Sequence, residues 1–161
     1  MRRGTLSIAL AVAILLLSSG RAVAQVSDLW MGTWKLNLAK SVYQPASLAP
    51  RSETTKQTRS GDSVTVILDG TDAKGKPMHT EITYKLDGKE YDYKGAPDPK
   101  TTRFYTRIGD LTYQFVTKVN GSITTTSHVV VAADGKSRTI VTTGRDAQGQ
   151  IVDDLAFWDK Q

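Results

Sequence analysis

The chain has 161 residues, a formal charge of +5 and no cysteine, which excludes disulfide scaffolds, thiolate metal sites, redox pairs and thiol nucleophiles together. Much of the positive balance sits at the start: residues 1–24 hold three of the 21 basic side chains and none of the 16 acidic ones, leaving eighteen against sixteen, a charge of +2, for the rest. A nearly balanced chain lacks the basic stripe that phosphate backbones require, so nucleic acid is not an expected partner.

In chain order, Met1-Arg2-Arg3 supplies a positive start, Leu6 to Leu17 is an almost unbroken apolar run, and Ala22-Val23-Ala24 has the small-x-small pattern that signal peptidase reads. The run falls short of the roughly 20 apolar residues of a membrane span. No cysteine follows to carry a lipid. The expectation is a signal peptide over 1–24, export to the periplasm or beyond with Gln25 at the mature N-terminus, and no stable membrane anchor. Residues 25–161 then form a single domain, long enough to bury a continuous core.

The first predicted strand surrounds Trp30 to Leu36, and Leu38 to Leu48 has room for a short helix before Pro50. From Arg51 onward, turn signals recur every ten to fourteen residues: Ser60-Gly-Asp62, Asp72 to Lys76, Asp87-Gly88, Gly95 to Pro99, Gly109-Asp110, Asn120-Gly121, Asp134-Gly135 and Asp146 to Gly149. The segments between them are rich in Thr, Val, Ile, Tyr and Phe, the composition of consecutive antiparallel hairpins. Eight turns separate nine strands, and the strand at Trp34 brings the number to about ten. Such a meander has two unprotected edges unless it closes. The predicted fold class is therefore all-β, an antiparallel up-and-down meander closed into a barrel of eight to ten strands, with a β-sandwich as the rival.

Gly61 to Lys76 and Gly135 to Gln150 match at seven positions, among them Gly61/Gly135, Gly70/Gly144, Asp72/Asp146 and Gly75/Gly149, all at one constant offset. This echo suggests one hairpin used twice. Neither turn has the alternating oxygen ligands and terminal Glu of a calcium loop.

Two-residue turns fix register, and register fixes faces. With Gly109-Asp110 and Asn120-Gly121 as such turns, Thr106 opposes Tyr113, Phe104 opposes Phe115, Tyr113 opposes His128 and Phe115 opposes Thr126. Treating Asp87-Gly88 likewise sets Tyr84 opposite Tyr91 and Ile82 opposite Tyr93. The expected inner face is Tyr84, Tyr91, Tyr93, Phe104, Tyr113, Phe115, Thr124, Thr126 and His128; the expected exterior holds Glu81, Thr83, Lys85, Arg103, Arg107, Gln114 and Lys118. Aromatic walls with a few converging polar groups are typical of small-molecule sites. The competing expectation is that the same side chains fill a narrow barrel as core. No Gly-x-Ser-x-Gly elbow, His-Glu-x-x-His pair or phosphate loop occurs in the sequence, and His79 falls on the face away from His128. Neither a catalytic residue nor a metal ligand nor a cofactor is assigned.

Gly32-x-Trp34, opening the first strand of a meander, resembles the signature of the calycins, the lipocalins and intracellular fatty-acid-binding proteins. The longer phrases GTWKLNLAKSVYQP, DGTDAKGKP and TTGRDAQGQ resemble exported bacterial lipocalin-like proteins of unestablished activity. The resemblance implies that Trp34 plugs one end of the barrel. Departures are equally visible. Ala156 and Trp158 stand where a fatty-acid-binding protein would have its Arg-x-Tyr carboxylate clamp, and neither the lipocalin Thr-Asp-Tyr turn nor its late arginine over the tryptophan is expected here. The expected function is binding of a small apolar or aromatic ligand, without chemical change, by Tyr84, Tyr91, Phe104, Tyr113 and Phe115 as walls, with Thr126 and His128 orienting its polar end. The alternative is an exported calycin-type interaction module with a filled barrel, such as a protease inhibitor acting on a protein partner.

Overall fold

The computed structural model describes residues 27–161; the expected signal peptide over 1–24 and its cleavage site lie outside them. Ten antiparallel strands follow: β1 Gly32–Leu36, β2 Ser52–Ser60, β3 Ser63–Thr71, β4 Pro77–Tyr84, β5 Tyr91–Asp92, β6 Thr101–Arg107, β7 Thr112–Val119, β8 Ser122–Val131, β9 Ser137–Arg145 and β10 Ile151–Lys160. All eight turn signals fall between strands. Among the described residues the only helices are 3-10 turns, at Asp28–Trp30, Leu38–Lys40 and Ala46–Leu48, so the segment before Pro50 holds two single turns in place of one short helix.

The strands form one sheet in the order β4-β3-β2-β1-β10-β9-β8-β7-β6-β5. Chain neighbours pair as in a meander, and β1 pairs with both β2 and β10 to join the two ends of the chain. The sheet curls until its edges meet at one bridge, where Glu81 and Lys94 exchange backbone hydrogen bonds of 3.0 Å in both directions. The result is a nearly closed barrel, which leaves only a short unpaired seam.

One end is sealed. Trp34 and Trp30 are fully buried there. Their indole N–H groups are both satisfied: Trp34 Nε1 donates to the Trp30 carbonyl at 3.1 Å, and Trp30 Nε1 to the Asp110 carbonyl at 3.0 Å. Trp30 also packs on Tyr113, with ring centres 4.4 Å apart. The plug is thus a pair of tryptophans, one on β1 and one on the 3-10 turn preceding it.

The repeated phrase is a repeated structure. The bounds of β3 and β9 differ by the same offset as the matching phrases, and each strand ends in the same turn. Asp72 Oδ1 accepts from the Lys74 and Lys76 amides at 2.9 and 2.8 Å, and Asp146 Oδ1 from those of Gln148 and Gln150 at 3.0 and 2.8 Å. Before each turn the glycine meets neighbouring backbone closely: a Cβ would run into the Ser52 carbonyl at Gly70 and the Thr124 carbonyl at Gly144.

Candidate binding site inside the barrel

Two of the expected registers are off by one residue, and each inverts a strand. Asn120-Gly121 is the predicted two-residue turn, both residues at positive φ, and Val119 pairs with Ser122 as that turn requires. Beyond it, however, Lys118 pairs with Ile123 while Thr117 pairs with Thr125, so Thr124 is an extra residue, a β-bulge. The bulge turns Thr125, Ser127, Val129 and Val131 inward. His128 and Thr126 are placed on the other face: His128 is exposed and pairs with Gln114, while buried Tyr113 pairs with Val129. The second inversion is at Gly109-Asp110, where Ile108 bonds to Thr112 and Leu111 joins the loop. Tyr105 then pairs with Phe115, so Tyr105 and Arg103 face inward and Phe104 faces outward.

The other expected positions are as follows. Tyr113 and Phe115 line the interior, and so does Tyr93, whose hydroxyl lies 2.8 Å from that of Thr80. Tyr84 is fully buried beneath them, stacked on Tyr105 at 3.5 Å between ring centres. Tyr91 is half-buried at the sheet's edge and donates its hydroxyl to Asp87 at 2.9 Å. His79 is exposed beside Asp69. No group of three His, Cys, Asp or Glu side chains suited to a metal ion occurs among the described residues, and none of their helices is long and apolar enough to cross a membrane.

Above the plug lies a cavity of about 300 Å³. The barrel is therefore not filled by its own side chains. The cavity's walls are part aromatic, with Tyr105, Tyr113, Phe115 and Trp158, and part polar, with Glu53, Gln57, Thr125, Thr142 and Asp154. Tyr43 reaches it from the segment after β1, which docks on β10 through a bridge between Val42 and Leu155. The segment around Lys40 to Tyr43 thus contributes to the rim.

Two arginines enter this space. Arg138, only 4% exposed, sits 4.8 Å from the Trp34 ring centre and 4.9 Å from that of Trp158. Its Nη1 donates to Gln57 Oε1 at 3.1 Å and its Nη2 to Thr55 Oγ1 at 2.6 Å. An arginine on β9 thus lies over Trp34, where none was expected. Arg103 stacks on Tyr93 at 3.7 Å and on Phe115 at 4.6 Å, and its Nε donates to Thr117 Oγ1 at 3.2 Å.

Burial governs the titration of the wall. It pushes the Glu53 carboxyl up to about 7, against the pull of Arg103 and Arg138, and it raises the Tyr43 and Tyr105 phenols well above their ordinary range. Near neutral pH the cavity accordingly presents the neutral phenols of Tyr43 and Tyr105, two guanidiniums, the Glu53 carboxyl poised between its two states, and the carboxyl of Asp154, which burial also raises.

No family model matches this chain, and no curated protein matches it. Among solved structures it is similar to a de novo designed fluorescence-activating β-barrel, at 11% identity and a TM-score of 0.39, with 81% of this chain and 93% of that chain covered.

Proposed function

We propose that the protein binds a small, partly aromatic molecule inside the barrel and releases it unchanged. The observation that carries this reading is the cavity of about 300 Å³ above a sealed tryptophan plug. Ligand sites combine apolar walls with a few placed polar groups, and the aromatic rings and hydrogen-bonded polar groups of this cavity fit that description. The filled-barrel alternative finds no support in such an interior. Export by a cleaved leader would make the protein a carrier or scavenger outside the cytoplasm.

Native mass spectrometry of the protein purified from its own source tests the reading. A noncovalent adduct that is lost on denaturation is expected. The bare polypeptide mass, together with no quenching of tryptophan fluorescence by N-phenyl-1-naphthylamine, would overturn it.

A further inference from the structure

Arg103 and Arg138 line the same cavity, and neither forms an ion pair among the described residues. Arg138 donates to a neutral amide and a neutral hydroxyl and meets the phenol of Tyr113, and its Nε has no hydrogen-bond partner among those residues. Arg103 meets a threonine hydroxyl, the faces of two rings and the phenols of Tyr93 and Tyr105. Charges taken out of water are normally paired, because neutral dipoles only partly replace lost hydration. Arg138, buried, and Arg103, half-buried, share one interior and make a positive field that Glu53 and Asp154 answer only in part, since neither carboxylate pairs with a guanidinium among the described residues. A planar guanidinium also presents its donors in a fork that matches an oxyanion.

One acidic group shares the cavity within electrostatic reach of both arginines, and that is Glu53 on β2. Among the described residues it forms no hydrogen bond to either guanidinium. The other charged or titratable groups around it are Tyr43 on the segment after β1 and Asp154 on β10. Asp154 accepts the Gln44 amide at 2.9 Å, which ties it to the rim.

We propose that the cavity takes an aromatic oxyanion, a carboxylate, sulfonate or phosphate on a ring-bearing body, with its charge held by Arg103 in the field of Arg138 and in competition with the carboxyl of Glu53. The inference rests on the small-molecule reading above and adds the ligand's charge and a pH dependence to it. When Glu53 is protonated, the anion meets the field of the two arginines with Asp154, tied to the rim, as the remaining carboxyl. As Glu53 ionises near pH 7, a second negative charge opposes the ligand. Uptake is then favoured in mildly acidic surroundings and release in alkaline ones.

The test uses two fluorescent probes with one aromatic frame, 1-anilinonaphthalene-8-sulfonate and its uncharged counterpart N-phenyl-1-naphthylamine. They are titrated into the wild-type protein, Arg103→Met, Glu53→Gln and Asp154→Asn. Arg103→Met keeps length and apolar contact and removes the charge; circular dichroism checks its fold. It should weaken the sulfonate roughly tenfold or more and the neutral probe less than about twofold, because only the former uses the charge-assisted bonds. Between about pH 6 and pH 8.5 the wild type should lose sulfonate affinity by roughly tenfold, the effect of about one pK unit of like-charge coupling. Glu53→Gln should abolish that dependence, and Asp154→Asn should keep it. Glu53→Gln gives a second reading if Arg103→Met does not fold. Equal effects of Arg103→Met on both probes, or a pH dependence that survives Glu53→Gln, would overturn the inference while leaving small-molecule binding in place. If neither probe binds, the small-molecule reading and the inference built on it fall together.

Discussion

Glu53 combines a charged side chain with an environment that resists its charge. Its carboxyl titrates near 4.5 in an unfolded chain and near 7 in the barrel. Below 4.5 both states hold the proton and folding is indifferent to it. As pH rises, the unfolded chain ionises first, so stability falls through this window and the loss is complete above 7, on the order of 3 kcal/mol. Glu53→Gln should therefore be nearly neutral near pH 4 and stabilising near pH 8 in urea denaturation; an equal effect at both would contradict this account of Glu53. Trp34 is the opposite case, an apolar ring wholly buried with its N–H satisfied. Trp34→Ala should cost roughly 3 to 5 kcal/mol in the same assay, as large-to-small core changes do. A negligible cost would show that the plug is dispensable.

Strands and turns were legible in the sequence because turn residues have local causes. Asp72 and Asp146 cap their own turns, and Asn120-Gly121 takes the positive φ values that a tight hairpin needs. The faces were legible only where the count of residues was regular. Thr124 and Leu111 each add one residue to a hairpin, and neither carries a distinguishing side chain. In β6, Thr101-Thr-Arg-Phe-Tyr-Thr-Arg107 offers aromatic residues to both faces, so nothing in its own pattern opposed the outward placement of Arg103 that a two-residue Gly109-Asp110 turn implied. Arg138 did leave a signal, since in β9 it holds the second position, which the fully buried Val64 holds in the matching strand β3. Gly144 has φ +142 and a Cβ there would meet the Thr124 carbonyl beside the bulge, so Gly144→Ala should destabilise by about 1 to 3 kcal/mol. His128, exposed on the outer face, should tolerate His128→Ala within about 0.5 kcal/mol. Thermal melts of the two variants check both, and the reverse order would mean that β8 is inverted.

The whole molecule joins an end closed by buried tryptophans to an open cavity of mixed aromatic and polar lining. Long-range pairing of β1 with both β2 and β10 fixes the plug, and the single bridge from Glu81 on β4 to Lys94, just after β5, leaves the seam as the least secured part of the wall. The stability needed to enclose unfilled space comes from the aromatic cluster below it, where Trp30, Trp34, Tyr84 and Tyr113 are at most 4% exposed. Ala156, on β10, lines the cavity wall, so enlarging it fills the space from within. The most direct test of a binding cavity is titration of N-phenyl-1-naphthylamine into the wild type and Ala156→Phe, followed by tryptophan fluorescence. Saturable quenching by the wild type, weakened about tenfold or more in a variant whose thermal midpoint is retained, is the predicted result, because the added ring occupies the probe's place. Equal quenching of both proteins would put the probe outside the barrel and contradict the account.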